Sequence, residues 1–294
     1  MEADRATIKR KLTEHYDWDA ADYHKRNYGN ETAYSPLWFR QNYIEQMIES
    51  AGVPRDSKIL DVGCGPGRLV LSLLKKGYRV WGVDISSSMI DEATELVRGN
   101  GFPGFDQLAV GDIEALGFDK GFFDVVVASG VIEYQKNDAV ALNEMNRVLA
   151  DGGHLIVNVT NRYSCNHLFG AVYQRLKRLP LARSLLGTIK RHVLRRGELV
   201  IIPPARTHLP SRFDRILEAH GFKKLRHNYF DFTPLPAPFN ALLYSLCLRV
   251  GEKMERLSTT ALGRLGGGYL VLAEKVGSLT NYTPLKSQPK NPLR

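Results

Sequence analysis

The sequence predicts an α/β fold: a doubly wound, mostly parallel sheet of seven strands, with a helical insertion after strand 5. Three observations carry this. From about Lys58 to Lys275, short apolar runs alternate with longer amphipathic stretches, the pattern of parallel strands covered on both faces by helices. A turn with glycines at Gly63, Gly65 and Gly67 joins the first apolar run to the first of these helices. After the fifth run the regularity breaks into a basic segment.

The elements follow in order. "SKILDVG" reads as a buried strand and "PGRLVLSLLKKG" as a helix stopped at Gly77. "YRVWGVD" is the second strand. "SSSMIDEATELVRGNG" opens on serines suited to an N-cap and ends in glycine and asparagine. "FDQLAVGD" and "FFDVVVASG" are further strands. "KNDAVALNEMNRVLADGG" reads as a helix running up to the glycines, and "GHLIVNVTN" as the fifth strand. "PSRFDRILEAHGF" then predicts a helix, "KKLRHNYFDF" a strand, "GEKMERLSTTALGRL" a helix and "YLVLAEKV" the closing strand. Residues 1–50 form an N-terminal helical cap and 51–276 the main domain, with insertions at 161–205 and 233–262. The Pro/Ser/Lys-rich stretch 277–294 reads as a flexible tail.

The 294 residues are 44% hydrophobic and 24% charged, enough for a sizeable core. Three scattered cysteines, Cys64, Cys165 and Cys247, give neither a disulfide framework nor a zinc site and suit a reducing compartment. The polar start has no signal-peptide core. The apolar run "PAPFNALLYSLCLRVG" is shorter than the ~20 residues of a membrane span. A cytoplasmic location is the expectation.

A bare turn between the first strand and helix of such a sheet is where nucleotide-like ligands dock. Spacing discriminates among them. A dinucleotide fingerprint needs glycine at 68, which is Arg68, and the P-loop lysine and hydroxyl are absent. Asp84 follows at the end of the second strand, where an acid takes a ribose diol. Asp112 ends the third strand; Ser129 and Gly130 follow the fourth.

The series "LDVGCGPG", "VDIS", "VGDIEAL", "FDVVVASGVIEY" and "VLADGGHLIV" resembles the class I S-adenosylmethionine-dependent methyltransferases over about residues 35–160. The nearest likeness is to ubiquinone-biosynthesis-type small-molecule enzymes. The resemblance implies a Rossmann-like methyltransferase fold with an antiparallel last strand. It implies S-adenosylmethionine on the glycine loop (Gly63, Cys64, Gly65, Gly67), with Asp61 orienting the loop and the cofactor's amino group. Asp84, with Ile85 and Met89 after it, would hold the ribose side. Asp112 and the Ile113 amide would read adenine, and Ser129 and Gly130 would contact the amino-acid arm. Arg40 is the candidate for the cofactor carboxylate, because a guanidinium pairs bidentately with that group.

Methyl transfer needs alignment and, for a weakly acidic acceptor, a base. The candidates are Glu133, Tyr134 and Tyr163, with His24, His167 and His208 as further titratable groups. Ubiquinone-type relatives place acidic and histidine side chains after the fourth strand. Here Glu133 stands, while Tyr134 and Ser129 replace the others, so no metal is expected. The N-terminal aromatics, Tyr16 to Tyr43, suit a segment covering the cofactor.

The net charge of +9 has one source. Between Arg162 and Arg196 lie nine Lys or Arg and no acid, and without them 31 basic residues face 31 acidic ones. Leu168, Phe169, Val172, Tyr173 and Leu176 fall at helical spacing among these charges, and a second helix is expected through Leu185 and Ile189. Three readings stay open: docking on an anionic membrane surface that delivers an apolar acceptor, binding of RNA as substrate, or an oligomer contact. The expected activity is methyl transfer to O or N of a small, apolar or membrane-associated acceptor. An RNA methyltransferase and a catalytically silent cofactor-binding protein are the alternatives.

Overall fold

The computed structural model describes residues 2–28, 35–176, 205–233 and 244–277. Two helices, α1 (Glu2–Tyr28) and α2 (Pro36–Ser50), precede the sheet. Ser35 caps α2 by accepting from the Trp38 amide at 3.4 Å, and Pro36 supplies a preset φ at its first turn. The alternating core is β1 (Lys58–Val62), α3 (Arg68–Lys75), β2 (Arg79–Asp84), α4 (Ser87–Gly99), β3 (Leu108–Val110), β4 (Phe123–Ala128), α5 (Asp138–Val148) and β5 (Leu149–Asn161). There follow α6 (Cys165–Leu176), β6 (Thr207–His208), α7 (Pro210–Ala219), β7 (Phe222–Phe230), α8 (Tyr244–Glu255) and β8 (Gly268–Lys275).

The sheet order is β3-β2-β1-β4-β5-β8-β7, with β6 beside the end of β5. Strands β1 to β5 pair in parallel, while β8 runs antiparallel to both β5 and β7. Alternate residues feed two cores, as a period of two requires. Leu60, Val62, Val126, Leu155 and Val157 pack with Leu142 and Met145 of α5 and Phe213 and Leu217 of α7. Ile59, Val80, Val125, Val127 and Ile156 pack with Ile44 and Met47 of α2, Val70 and Leu73 of α3, and Val97 of α4. Both faces of the central strands β1 and β4 are buried, so these strands are nearly continuous apolar runs.

Three expectations change. The helix expected over 136–153 stops at Val148, and β5 begins at once. Leu149 pairs with Phe123 and His154 with Val125, so the intervening residues, Gly152 and Gly153 among them, form a bulge within the strand. The helix expected over 251–265 ends at Glu255, and Ala261–Leu265 forms a separate 3-10 turn. There the Gly263 α-carbon packs so closely on the Leu257 and Ser258 carbonyls that a Cβ would stand 2.6 Å and 2.8 Å from their oxygens. The sheet also gains the two-residue β6, which has no apolar run to announce it. The second helix expected within the basic insertion lies outside the described residues, as does most of the tail 277–294.

Candidate active site

The carboxyl ends of β1 to β4 open into a cavity of about 240 Å³, lined from below by Gly63, Gly65, Asp84, Asp112, Ser129 and Gly130, and from above by helices α1 and α2. This is the crevice where doubly wound sheets take ligands. The glycine turn is shaped by its neighbours. Gly63 and Cys64 donate their amides to the Val83 carbonyl at 2.7 and 3.1 Å, and Gly65 donates to Asp84 Oδ2 at 2.9 Å. All three glycines have positive φ, but for different surroundings. A Cβ on Gly63 would stand 2.4 Å from the Val131 side chain, and one on Gly67 2.8 Å from that of Ala93. At Gly65 nothing lies within 4 Å. Gly63 and Gly67 are therefore bare because protein packs on them, and Gly65 alone combines open space with a left-handed backbone.

Asp84 and Asp112 stand on adjacent strand ends. Asp84 Oδ1 accepts from the Ser86 amide at 3.0 Å, and burial pushes its carboxyl up while the Ser86 and Gly65 amides pull it down. Asp112 accepts from the Glu114 amide at 3.0 Å and pairs with Lys9 of α1, which also pairs with Glu114. Asp17, further along α1, accepts from Ser86 Oγ at 2.6 Å and from the Ser88 amide at 3.2 Å, at the N-terminus of α4. So α1 is tied to the rim at two strand ends.

Arg40 of α2 faces the cavity and also a smaller recess lined by Asp61, Gly63, Cys64 and Ser129. Asp61 is buried and its carboxyl is pushed up to about 7 by burial; Arg40 draws it down and Asp84 pushes it up. Among the described residues no carboxylate oxygen lies within ion-pair distance of Arg40. At the other end of the cavity stands Glu133, on the 3-10 turn Ile132–Tyr134. It is 6% exposed, and its Oε2 has no hydrogen-bond partner among the described residues. Burial raises its carboxyl, opposed by the charges of Arg40, His208 and Arg206. The ring of Tyr134 meets that of Tyr16 edge-on at 6.4 Å, and burial raises both phenols.

The structure thus brings together Arg40, Gly63, Cys64, Gly65, Asp84, Ile85, Met89, Asp112, Ile113, Ser129, Gly130, Glu133 and Tyr134 around one cavity. Asp61 belongs to the adjoining recess and Gly67 to the start of α3. Tyr163 does not join them: it is 49% exposed and lies beyond the end of β5, its amide donating to Asn161 Oδ1 at 3.0 Å. His167 pairs with Ser164, and His208 with Asp138 at 3.1 Å. The side chain of His24 is outside the described set. Among the described residues no group of His, Cys, Asp or Glu is placed to hold a metal ion.

Some lining groups escape sequence reasoning. Leu12 arrives from α1 over a long separation with no local signal, whereas Tyr16 is one of the N-terminal aromatics expected to cover the cofactor. Asn158 had a signal, as the one polar residue inside "LIVNV". Its Oδ1 accepts from Ser129 Oγ at 3.0 Å and from the Gly130 amide at 2.8 Å, fixing the turn after β4.

The sheet and its helices match the Rossmann-like methyltransferase fold. Residues 60–157 match the family model for a methyltransferase domain. The chain is 32% identical over 137 residues to a ubiquinone biosynthesis O-methyltransferase of Coxiella burnetii (45% of this chain, 54% of that protein). It is 29% identical over 127 residues to a malonyl-[acyl-carrier protein] O-methyltransferase of Erwinia billingiae (43% and 48%). The chain therefore spans about half the length of the curated relatives it matches. In structure it is similar to magnesium protoporphyrin IX methyltransferase from Synechocystis PCC 6803 with bound SAH, at a TM-score of 0.56 and 16% identity, over 91% of this chain and 99% of that one.

Proposed function

We propose that the protein is an S-adenosylmethionine-dependent methyltransferase acting on O or N of a small apolar or membrane-associated acceptor, with oxygen favoured by the O-methyltransferase relatives. The observation that carries this is the convergence on one cavity of an open Gly65, two strand-end acids and an arginine without an ion pair. These residues fit the cofactor. Gly65 leaves room for a ligand against the main chain; Asp84 would take the ribose hydroxyls, Asp112 with the Ile113 amide the adenine edge, and Arg40 the carboxylate, with Asp61 beneath the amino group. The chemistry the cofactor supplies when bound is a methyl group already activated on a sulfonium sulfur.

The chain's own task is then to orient the acceptor, exclude water and take a proton. Glu133 supports the last: burial raises its carboxyl and its Oε2 has no hydrogen-bond partner among the described residues, which suits it to accept a proton. Tyr134 and Tyr16 wall that end with aromatic surface. Helix α1, as a cap, would close the cavity over the ligand. The basic insertion supports a membrane-facing acceptor route. No helix among the described residues is long and apolar enough to cross a membrane, so such contact would be peripheral.

Isothermal calorimetry with S-adenosylmethionine and S-adenosylhomocysteine (SAH) tests the reading. Wild type should bind both, and Asp84→Asn should weaken SAH at least about tenfold, roughly one charge-assisted hydrogen bond. No binding by wild type at millimolar ligand would sink it. Formation of SAH on adding a lipid extract separates turnover from silent binding.

A further inference from the structure

We propose that Arg206 is a positioning residue for Glu133, clasping the backbone turn that presents this carboxylate to the cavity; the proposal rests on the reading of Glu133 as proton acceptor. Ile132–Tyr134 is a single 3-10 turn, and Glu133, Tyr134 and the next residue, Gln135, all line the cavity. So short a helix satisfies little of its own backbone. Within it the Tyr134 amide donates to the Val131 carbonyl at 3.2 Å and the Gln135 amide to the Ile132 carbonyl at 3.1 Å. The Glu133 carbonyl instead accepts from the Arg206 amide at 2.9 Å. The Ile132 carbonyl accepts a second bond from Arg206 Nη2 at 3.1 Å. One residue thus grips two successive carbonyls, once with its main chain and once with its guanidinium.

The guanidinium is itself held. The same Nη2 pairs with Asp138 Oδ1, and His208 Nε2 pairs with Asp138 Oδ2 at 3.1 Å, so both oxygens of this carboxylate are committed. Asp138 opens α5 and is buried; burial pushes its carboxyl up, but the bonds from His208 and Arg206 draw it below its ordinary value, so it stays charged. The other anchor is β6, fixed to the end of β5 where the Arg162 amide donates to the His208 carbonyl at 3.0 Å. Hydrogen bonds therefore run without a gap from the sheet through His208, Asp138 and Arg206 to the turn. Neither Arg206 nor His208 lines the cavity, so the effect on a ligand passes through Glu133. A buried carboxylate oxygen without a partner is costly, and a free turn would let it swing to water. The clasp keeps it facing the cavity.

The test needs neither cofactor nor acceptor. The full chain, carrying 13C at its glutamate carboxyls, is titrated by NMR, and the Glu133 signal is the one that Glu133→Gln removes. Burial raises this carboxyl most; its own amide and the charges of Arg40 from α2 and of His208 and Arg206 from β6 draw it down, and the phenols of Tyr16 and Tyr134 stand beside it. The two roles open to Arg206 have opposite signs. Acting only as a charge, its loss in Arg206→Met would raise the Glu133 midpoint, and Arg206→Lys, which keeps the charge but not the planar fork, would leave it in place. Acting as a clasp, its loss lets the carboxyl reach water, so the midpoint should fall towards the ordinary carboxyl value in both variants, and further with lysine. The Tyr134 and Gln135 amides should exchange about tenfold faster, with those of β1 unchanged. A midpoint that rises with methionine, or stays unmoved in a lysine variant shown by thermal melts to be folded, overturns the proposal. SAH affinity should stay within about twofold in both variants. If wild type itself binds no SAH, the cofactor reading fails while the titration still decides the clasp.

Discussion

Asp61 shows how a single buried carboxyl sets a pH dependence. Its pKa in the folded protein is about 7, raised chiefly by burial from an ordinary 3.8. Between those values the folded state holds a proton that the unfolded chain has lost, so stability falls as pH rises through this window and levels off above it. A shift of that size corresponds to roughly 4 kcal/mol at most. Asp61→Asn, neutral at every pH, should therefore melt above wild type at pH 8 and converge with it near pH 4. A melting difference that ignores pH would show that burial does not tax this group. The residues of the site differ in how far sequence could reveal them. Asp84, Asp112 and Glu133 were legible because they sit where apolar runs stop, and a strand's end is a local property. Leu12 was not, because it reaches the cavity from α1 across a long stretch of chain. Nor was the split among the glycines. Only the positions of Val131 and Ala93 show that two of them are bare for packing.

At the scale of elements, strands with both faces buried and helices with a single apolar stripe were readable from their periods. The errors fell where tertiary contact sets the boundary. A bulge absorbs residues 150–153 into β5, and β6 exists because Arg206 and His208 are held by Asp138 beside the end of β5. Helix α1 is the most telling case. It is largely polar, buries Leu12 and Ala20, and is tied to the rim through Lys9 and Asp17. A helix held by so few apolar groups draws its docking strength from these polar ties. Asp17 also sits at the N-terminus of α4, where a carboxylate complements the helix dipole. Asp17→Ala should therefore release α1 without loosening the sheet. By hydrogen exchange, amides of α1 should exchange about five- to tenfold faster, matching about 1 kcal/mol for a lost cap-type bond. Amides of β1 and β4 should be unchanged. SAH should slow α1 exchange in wild type if that helix closes over the ligand. Uniform acceleration across α1 and the sheet would instead make α1 part of the core.

At the scale of the whole molecule, the formal charge excess falls on a segment whose first turns carry exposed apolar side chains. The nine basic residues between Arg162 and Arg196 account for the entire surplus. Where this segment leaves β5, its first turns expose Tyr163, Leu168 and Phe169 at 48–49%. Two exposed apolar side chains on one short helix are not anomalous alone. Their value lies in the company of cations, because each Lys or Arg near an anionic leaflet contributes about 1 kcal/mol, and a buried Leu or Phe roughly 1.5–3. The electrostatic part is screened by salt and the apolar part is not. The two contributions therefore separate in one experiment. The full chain should co-sediment with phosphatidylserine-containing vesicles at low salt, and not with neutral phosphatidylcholine vesicles. Raising the salt should release most of it. A Leu168→Ser, Phe169→Ser double variant should bind the anionic vesicles at least about tenfold more weakly at low salt, while its SAH affinity stays unchanged because neither residue lines the cavity. If wild type ignores both kinds of vesicle, the acceptor does not arrive from a membrane through this face, and the basic surplus serves a partner of another kind.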